Sequence, residues 1–259
     1  MKTILVTNDD GVHSDGIHVL ATALSRLGEV IVVAPHIEAS AIGHALTLRR
    51  PLRMERLREG VYEVDGTPSD CVNVAVTQLY ASPPDLIVSG INKGYNLGDD
   101  VTYSGTVSGA LEGSLLGIAS IAVSLQRGDE YDFGPAAESA AVIASSVLEH
   151  GLPQRTFVNI NVPAGAPRGM RVTVQAKRNH VTVVAERLDP RGRPYYWIEE
   201  GENAWEPHDR SDYQAVKDGY VSVTPLQPDL TDHDALNQMR DLLERAPAAS
   251  KLGSFRDTA

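Results

Sequence analysis

The amino-terminal 35 residues contain an apolar run, a helical segment and a second apolar run, and this order restricts the fold more than any other feature of the chain. Thr3 to Thr7 is β-branched and apolar, which is typical of a strand buried on both faces. A helix is predicted from about Gly16 to Leu27, and Val30 to Ala34 is the next buried strand. A strand, helix and strand in this order predict a parallel sheet with a right-handed crossover.

The rest of the chain alternates in the same way and then becomes richer in strands, so we expect an α/β fold with a mostly parallel sheet. Residues 46–57 and 61–64 are predicted to form a strand or a hairpin, and further strands are predicted at 86–90, 120–125, 157–162, 172–175, 195–199 and 221–224. Further helices are predicted at 69–80, with Ser69 as the cap, and at 106–116, 135–150 and 232–245. No Gly-x-Gly-x-x-Gly follows the first strand, so the dinucleotide-binding fingerprint is absent.

The pattern breaks at 126–134, where charge rises, and we predict a boundary there. Residues 1–126 would form the core that carries the functional site. Residues 127–245 would supply the remaining core helix and strands and a C-terminal extension for oligomerisation. Residues 246–259 are predicted to be a flexible tail.

Charge and cysteine content limit the partners and the compartment. The chain has 23 Lys and Arg against 34 Asp and Glu, a net charge of −11, which disfavours coating of DNA or RNA. The single cysteine, Cys71, allows no internal disulfide and favours a reducing compartment, so we expect a cytoplasmic protein. No apolar window approaches ~18 residues, so no membrane span is predicted.

Polar side chains follow three of the predicted strands. Asp9 and Asp10 follow the first strand, Glu38 and Ser40 follow the second, and Asn92 follows the strand at 86–90. The loops at the carboxyl ends of parallel strands share one edge of the sheet, where ligands bind. Carboxylate, hydroxyl and amide oxygens suit Mg²⁺, Mn²⁺ or Ca²⁺ rather than Zn²⁺. The alternative for the Asp doublet is a capped turn without a metal.

A long polar loop joins Asn92 to the helix predicted at 106–116. Ser104, Gly105 and Thr106 stand at the start of that helix, where unpaired N–H groups and the helix dipole attract an anion such as phosphate. The alternative is an ordinary Ser or Thr cap. A metal beside such a helix end would suit phosphoryl hydrolysis, with the metal activating water and polarising a phosphoryl oxygen.

Five short motifs occur in order along the chain: Thr7-Asn8-Asp9-Asp10-Gly11, Gly66-Thr67-Pro68-Ser69-Asp70-Cys71-Val72, Ser89-Gly90-Ile91-Asn92, Asn96-Leu97-Gly98-Asp99-Asp100 and Tyr103-Ser104-Gly105-Thr106-Val107. Together they resemble the motifs of the SurE family of metal-dependent 5′/3′-nucleotidases. The resemblance implies a Rossmann-like three-layer α/β/α sandwich whose strand-rich C-terminal extension is exchanged between subunits of a homodimer or homotetramer. It also implies a 5′-nucleotidase (EC 3.1.3.5) that hydrolyses nucleoside 5′- and 3′-monophosphates, and short polyphosphate as a further substrate.

The resemblance assigns roles to eight residues and one divalent ion per subunit, Mg²⁺ or Mn²⁺, at a site that Ca²⁺ could occupy. The implied metal ligands are Asp9, Asp10, Ser40 and Asn92, and the implied phosphate-binding residues are Asn96, Ser104, Gly105 and Thr106. Asp9 and Asp10 are also the candidates for a general base. The chain departs from the family at Ala41, where Gly is usual, and at Ser69, where Ala is common. Ala tolerates a positive φ poorly.

Two histidines are auxiliary candidates, each with a structural alternative. His44 follows the metal loop and would contact the ligand or stabilise the loop. His233 would assist at the active site across a subunit boundary, or else cap a helix.

Two other functions remain open at the level of sequence. An aspartyl-phosphate phosphatase normally has Asp-x-Asp after its first strand, which this chain lacks. A non-catalytic nucleotide-binding module would use the same metal and phosphate features without turnover.

Overall fold

The structure, a computed structural model, describes residues 1–128, 130–179, 182–200 and 204–244. The chain forms two compact units, Met1–Pro228 and Asp229–Ala259. The predicted tail at 246–259 lies outside the described residues, and the predicted boundary at residue 126 stays a prediction.

The elements are numbered here in chain order. The strands are β1 Thr3–Thr7, β2 Glu29–Pro35, β3 Met54–Arg58, β4 Val61–Val64, β5 Leu86–Lys93, β6 Ser120–Leu125, β7 Phe157–Val162, β8 Met170–Val172, β9 Arg178–Asn179, β10 Thr182–Leu188, β11 Pro194–Glu200, β12 Ala204–Trp205 and β13 Val221–Leu226. The α-helices are α1 Asp15–Leu24, α2 Pro68–Gln78, α3 Gly105–Leu115, α4 Gly134–His150, α5 Asp212–Lys217 and α6 Leu236–Glu244. A 3₁₀ helix spans Gly98–Thr102.

A nine-stranded sheet in the order β3-β4-β2-β1-β5-β6-β7-β13-β8 forms the centre of the first unit. Its central neighbours, from β4 through β7, pair in parallel, whereas β3–β4 and β7–β13 are antiparallel. Helices α1 and α4 pack on one face, and α2 and α3 pack on the other. The predicted three-layer α/β/α arrangement with a mostly parallel sheet is therefore confirmed.

The central strands are apolar because both of their faces are covered. Ile4, Leu5 and Val6 are fully buried, and β6 and β7 are buried along their whole length. Burial of apolar surface stabilises the fold by roughly 25 cal/mol per Å². This is why continuous apolar runs, and not alternating patterns, identified these strands.

Two predictions of local structure are corrected. Helix α2 begins after Thr67, not Ser69, because Thr67 and Asp70 form a capping box in which each side chain bonds the other's backbone N–H. The strand predicted at 172–175 is instead β8, Met170–Val172. The strand predicted at 195–199 is half of a separate hairpin, β10 with β11, whose first strand was not predicted.

None of the helices that the structure describes has the length and hydrophobicity needed to span a bilayer.

Candidate functional site

The strand order reverses direction between β1 and β5, and this switch point locates the site. The chain leaves β1 toward β2 on one side, whereas β5 continues to β6 and β7 on the other. Loops that diverge in this way leave a crevice at the carboxyl ends of the two strands. The loop after β1 begins at Asn8, and β5 ends with Asn92 and Lys93.

The turn after β1 is held by its own residues. The Nδ2 of buried Asn8 donates to the Gly11 carbonyl at 3.0 Å and to Ser14 Oγ at 2.7 Å. Gly11 has φ +94°, which a side chain would strain. The N–H of Val12 donates to the Pro35 carbonyl at 2.9 Å, which ties the turn to the end of β2. The two carboxylates thus lie on a fixed backbone.

Asp9 lies against the N-terminus of α3 and is 4% exposed. The Thr106 hydroxyl donates a short hydrogen bond to Asp9 Oδ1. Burial raises the pKa of Asp9 to about 6; the bond from the Thr106 side chain and the Thr106 backbone N–H act against this rise, and the charge of Asp10 adds to it. The Asp9 carboxylate itself therefore occupies part of the anion-attracting end of α3.

Gly105 permits this approach. A Cβ at Gly105 would lie 2.7 Å from Asp9 Cβ and 2.9 Å from Asp9 Oδ2. Any larger residue would displace the Asp9 side chain or the start of α3. The role of Gly105 that the structure shows is close contact with Asp9.

Asp10 differs from Asp9 in its surroundings. Its Oδ2 atom is buried and has no hydrogen-bond partner. Burial raises the pKa of Asp10, the backbone N–H and the ammonium charge of Lys93 act against the rise, and the charge of Glu38 adds to it. The Oδ1 of neighbouring Asn8 is also buried without a partner. Acceptor oxygens without donors in a buried position are what a cation site presents.

The residues present therefore fit a hard divalent cation. Among the residues that the structure describes, there is no group of three or more His, Cys, Asp or Glu side chains that could hold a metal ion. Two carboxylates completed by neutral oxygens match the preferences of Mg²⁺ and Mn²⁺.

Ser40 lies on the exposed loop after β2, which contacts Asp9 through its backbone. The N–H of Ala39 donates to the Asp9 carbonyl at 2.8 Å. The Ser40 hydroxyl donates to Glu38 Oε1 at 2.6 Å, and its oxygen keeps lone pairs that can accept. Ala41 adopts φ +54°, the left-handed conformation that glycine would adopt without strain.

Asn92 is placed by an irregularity in β5. The register of β5 with β6 shifts between Ser89 and Asn92. A Cβ at Gly90 would lie 2.4 Å from the Val123 carbonyl oxygen, so this close approach requires glycine. The Nδ2 of Asn92 donates to the Gly94 carbonyl at 3.1 Å, so the side-chain oxygen is the atom of Asn92 that could accept a cation.

Asn96 is held in a buried polar network. Its N–H donates to Asn161 Oδ1 at 2.8 Å, and its Nδ2 donates to Ser124 Oγ at 2.7 Å. Its carbonyl accepts from the Nδ2 atoms of Asn159 and Asn161 at 2.8 and 3.0 Å. The structure thus gives Asn96 a fixed position in the loop before α3.

Ser104 caps α3. Its hydroxyl accepts from the Val107 N–H at 3.1 Å. With Thr106 directed to Asp9, the two hydroxyls that were expected to donate to a phosphate both have partners within the chain. Their phosphate-binding role stays a prediction.

The two auxiliary histidines each have an acidic partner. His44 Nε2 lies 2.6 Å from Glu112 Oε2, and Asn73 Nδ2 donates to Glu112 Oε1 at 2.8 Å. His233 Nε2 lies 3.2 Å from Asp229 Oδ2, within the unit Asp229–Ala259.

Sequence reasoning did not identify Glu112, Asn159 or Asn161. Each carried a signal, because a polar side chain in a closely packed helix or a buried strand needs a partner. The sequence Phe-Val-Asn-Ile-Asn-Val of β7 contains two such residues.

Comparisons with known proteins agree with this architecture. A sequence model of the family described as survival protein SurE matches residues 4–182. A protein of Syntrophotalea carbinolica named 5′-nucleotidase SurE is 54% identical over 232 residues, covering 88% of this chain and 92% of that protein. A protein of the same name from Geobacter sulfurreducens is 50% identical over 254 residues, covering 96% of this chain and 97% of that protein.

A solved structure also resembles this one. The crystal structure of the SurE protein from Aquifex aeolicus has a TM-score of 0.84 and 45% sequence identity, covering 93% of this chain and 99% of that chain.

Proposed function

The chain belongs to the survival protein SurE family, and from this premise we propose that it is a divalent-metal-dependent 5′-nucleotidase. Its substrates are nucleoside 5′-monophosphates, with 3′-monophosphates and short polyphosphate as further substrates. The observation that carries this proposal is the buried, unpartnered Oδ2 of Asp10 beside Asp9 at the sheet's switch point. In the proposed reaction, water attacks phosphorus and the bond to the nucleoside oxygen breaks.

One Mg²⁺ or Mn²⁺ per subunit would be held by Asp9, Asp10, Ser40 and Asn92, at a site that Ca²⁺ also fits. When bound, such an ion offsets the charge of the two carboxylates and polarises a phosphoryl oxygen. The raised pKa values of Asp9 and Asp10 support this assignment, because burial disfavours the ionised form of each carboxylate and a bound cation would offset that cost.

The chain's own residues would hold the phosphate and accept a proton. Asn96, Ser104, Gly105 and Thr106 would position the phosphate at the start of α3, with backbone N–H groups facing its oxygens. Asp9 or Asp10 would accept the proton of the attacking water.

Assembly is part of the proposal. The hairpin β10–β11 exposes apolar side chains, including Trp197 and Ile198, which are 56% and 79% exposed. We expect this extension to pair with a second copy in a homodimer or homotetramer. His233 would then assist a neighbouring subunit.

The deciding experiment measures phosphate release from 5′- and 3′-nucleoside monophosphates with Mg²⁺, with Mn²⁺ and with a chelator. Asp9→Asn should lower the rate by about 10²- to 10³-fold while the chain stays folded. The matched control is Asp85→Asn, which changes the same residue type at the opposite edge of the sheet, where Asp85 accepts from Thr3 N–H.

Metal-dependent release that survives in the control and is lost in the Asp9 variant supports the proposal. Near-normal turnover by folded Asp9→Asn would contradict it. Intact bound nucleotide in the presence of either metal would point to a binding module. A trapped aspartyl-phosphate would point to covalent catalysis.

A further inference from the structure

A buried carboxylate on α3 holds the loop that carries Ser40. The Glu112 side chain is 8% exposed and accepts from His44 on one oxygen and from Asn73 of α2 on the other. Three parts of the chain that are distant in sequence meet at this one group. A buried carboxylate with both oxygens bonded is costly to disturb.

The position of Glu112 along α3 separates its carboxylate from the start of the helix, where the phosphate is proposed to bind. Glu112 follows Thr106 by six residues, which is about 9 Å along a helix axis. Thr106 marks the level of Asp9 through its hydrogen bond. His44 is hydrogen-bonded to Glu112, so this contact lies farther along α3 than Thr106 and Asp9. It therefore acts on the loop rather than on substrate.

The loop between β2 and β3 has no helix or strand of its own between Pro35 and Met54. Its other attachments include a hydrogen bond to a carboxylate and an ion pair: the Thr47 N–H donates to Asp70 Oδ1 at 2.9 Å, and Arg50 lies 3.2 Å from Asp65 Oδ2. The Gly43 N–H donates to the Tyr103 carbonyl at 3.0 Å. The Ala45 carbonyl accepts from Thr67 Oγ1 at 2.7 Å. A loop with few buried apolar contacts depends on such bonds for its shape.

We propose that His44 and Glu112 form a positioning pair that holds residues 39–47 in place, so that Ser40 stays at the Asp9 and Asp10 site and divalent-cation affinity is maintained. This inference rests on the proposed metal-dependent function. Groups that orient a metal ligand from outside the coordination sphere commonly change metal affinity by about 10- to 100-fold when removed.

The charge state of Glu112 shapes the test. Burial raises the pKa of Glu112, but the hydrogen bonds from His44 and Asn73 and the charge of His44 outweigh it, so the pKa lies below its ordinary value. Glu112 is therefore ionised near neutral pH, and removing His44 alone leaves a buried charge without its partner. A double variant with Glu112→Gln removes that complication.

The experiment measures Mn²⁺ binding by titration calorimetry without substrate, and phosphate release at increasing Mn²⁺. Four variants are compared with the parent protein: His44→Ala, His44→Ala/Glu112→Gln, His44→Gln and Glu138→Gln. The last is the control, because Glu138 is a surface residue paired with Arg26 at 2.7 Å. In His44→Gln the amide places an N–H where the imidazole Nε2 stands.

We expect both His44→Ala proteins to bind Mn²⁺ about tenfold more weakly or worse, with a rate at saturating Mn²⁺ near that of the parent. His44→Gln should recover most of the affinity, and Glu138→Gln should match the parent.

Two results overturn the inference. One is unchanged Mn²⁺ affinity in both His44→Ala proteins. The other is a saturated rate that collapses equally in His44→Ala and His44→Gln, which would make the imidazole a reacting group. Failure of the proposed function gives a different result. In that case the parent protein would bind no Mn²⁺, or its Mn²⁺ binding would not change when Asp9 is substituted.

Discussion

Asp9 and Asp10 are neighbours in sequence but have opposite surroundings. Asp9 is enclosed and accepts from Thr106, whereas Asp10 keeps a buried oxygen without a donor. Consecutive side chains leaving a strand point in different directions, so one faces α3 and the other faces Lys93 at the end of β5. The environment, and not the residue type, therefore decides how many oxygens of each carboxylate already have a partner within the chain.

Ala41 gives a prediction at the scale of one residue. It adopts φ +54° beside Ser40, and a left-handed conformation costs a residue with a Cβ about 1 kcal/mol or more. Ala41→Gly should raise the free energy of unfolding by a few tenths to about 1 kcal/mol, after the greater flexibility of glycine in the unfolded chain is subtracted.

Urea denaturation with a chelator measures this change. The control is Ala45→Gly in the same loop, which is not among the residues with positive φ and should lose stability. A loss in both variants would show that Ala41 is not strained.

Helix α3 is the element that brings the sheet and the site together. Glycines at 105, 109 and 113 lie on the face toward the sheet, spaced four residues apart. A Cβ at Gly109 would lie 2.8 Å from Ser89 Oγ, and one at Gly113 would lie 2.2 Å from Ser120 Oγ. Small residues let α3 approach closely, so that its first turn reaches Asp9.

Substitution of Gly105 tests this role. Gly105→Ala should force the Asp9 side chain aside and lower Mn²⁺ affinity and phosphate release, with a stability cost of about 1–3 kcal/mol from overpacking. Gly109→Ala makes a comparable clash against Ser89 and Thr7 but does not touch Asp9. It should lose stability by a similar amount and keep its Mn²⁺ affinity.

Mn²⁺ titration and urea denaturation of both proteins separate the two effects. Equal Mn²⁺ affinities in the two variants would show that Gly105 has no role at the metal site.

At the scale of the whole molecule, the site costs stability when no cation is bound. The pKa of Asp9 rises from 3.8 to about 6 on folding. Between these values the folded state keeps a proton that the unfolded state has released, so stability falls as pH rises through this range. A shift of this size corresponds to about 3 kcal/mol, fully expressed above pH 6.

Asp9→Asn should therefore stabilise the metal-free protein at pH 8 by up to about 3 kcal/mol, with a difference that shrinks toward pH 4. Urea denaturation at pH 4.5, 6 and 8 with a chelator measures it. Added Mn²⁺ should reverse the order, because only the protein with both carboxylates gains from binding. A variant less stable than the parent at pH 8 would contradict the electrostatic argument.

Most of the fold was predictable from sequence because strand burial and helix capping leave local signals. The runs at β1, β2, β5, β6 and β7 are apolar because both of their faces are covered, and their bounds were close to those observed. Strand β10 was not predicted and β8 was predicted a few residues too late, because strands with exposed faces lack a continuous apolar run. The cap of α2 is Thr67 and not Ser69, because Thr67 is hydrogen-bonded to Asp70 and also donates its hydroxyl to the Ala45 carbonyl.

Local patterns and the order of the motifs are enough to predict the α/β class, the parallel order of the amino-terminal unit, the family and the set of candidate site residues. The partner of each polar group depends on how distant elements pack. Thr106 is hydrogen-bonded to Asp9, Asn96 to Asn161, and His44 to Glu112. These pairs are 97, 65 and 68 residues apart in the chain. No local preference can specify them, because a buried polar group takes whichever partner the packing of distant elements brings within hydrogen-bond reach.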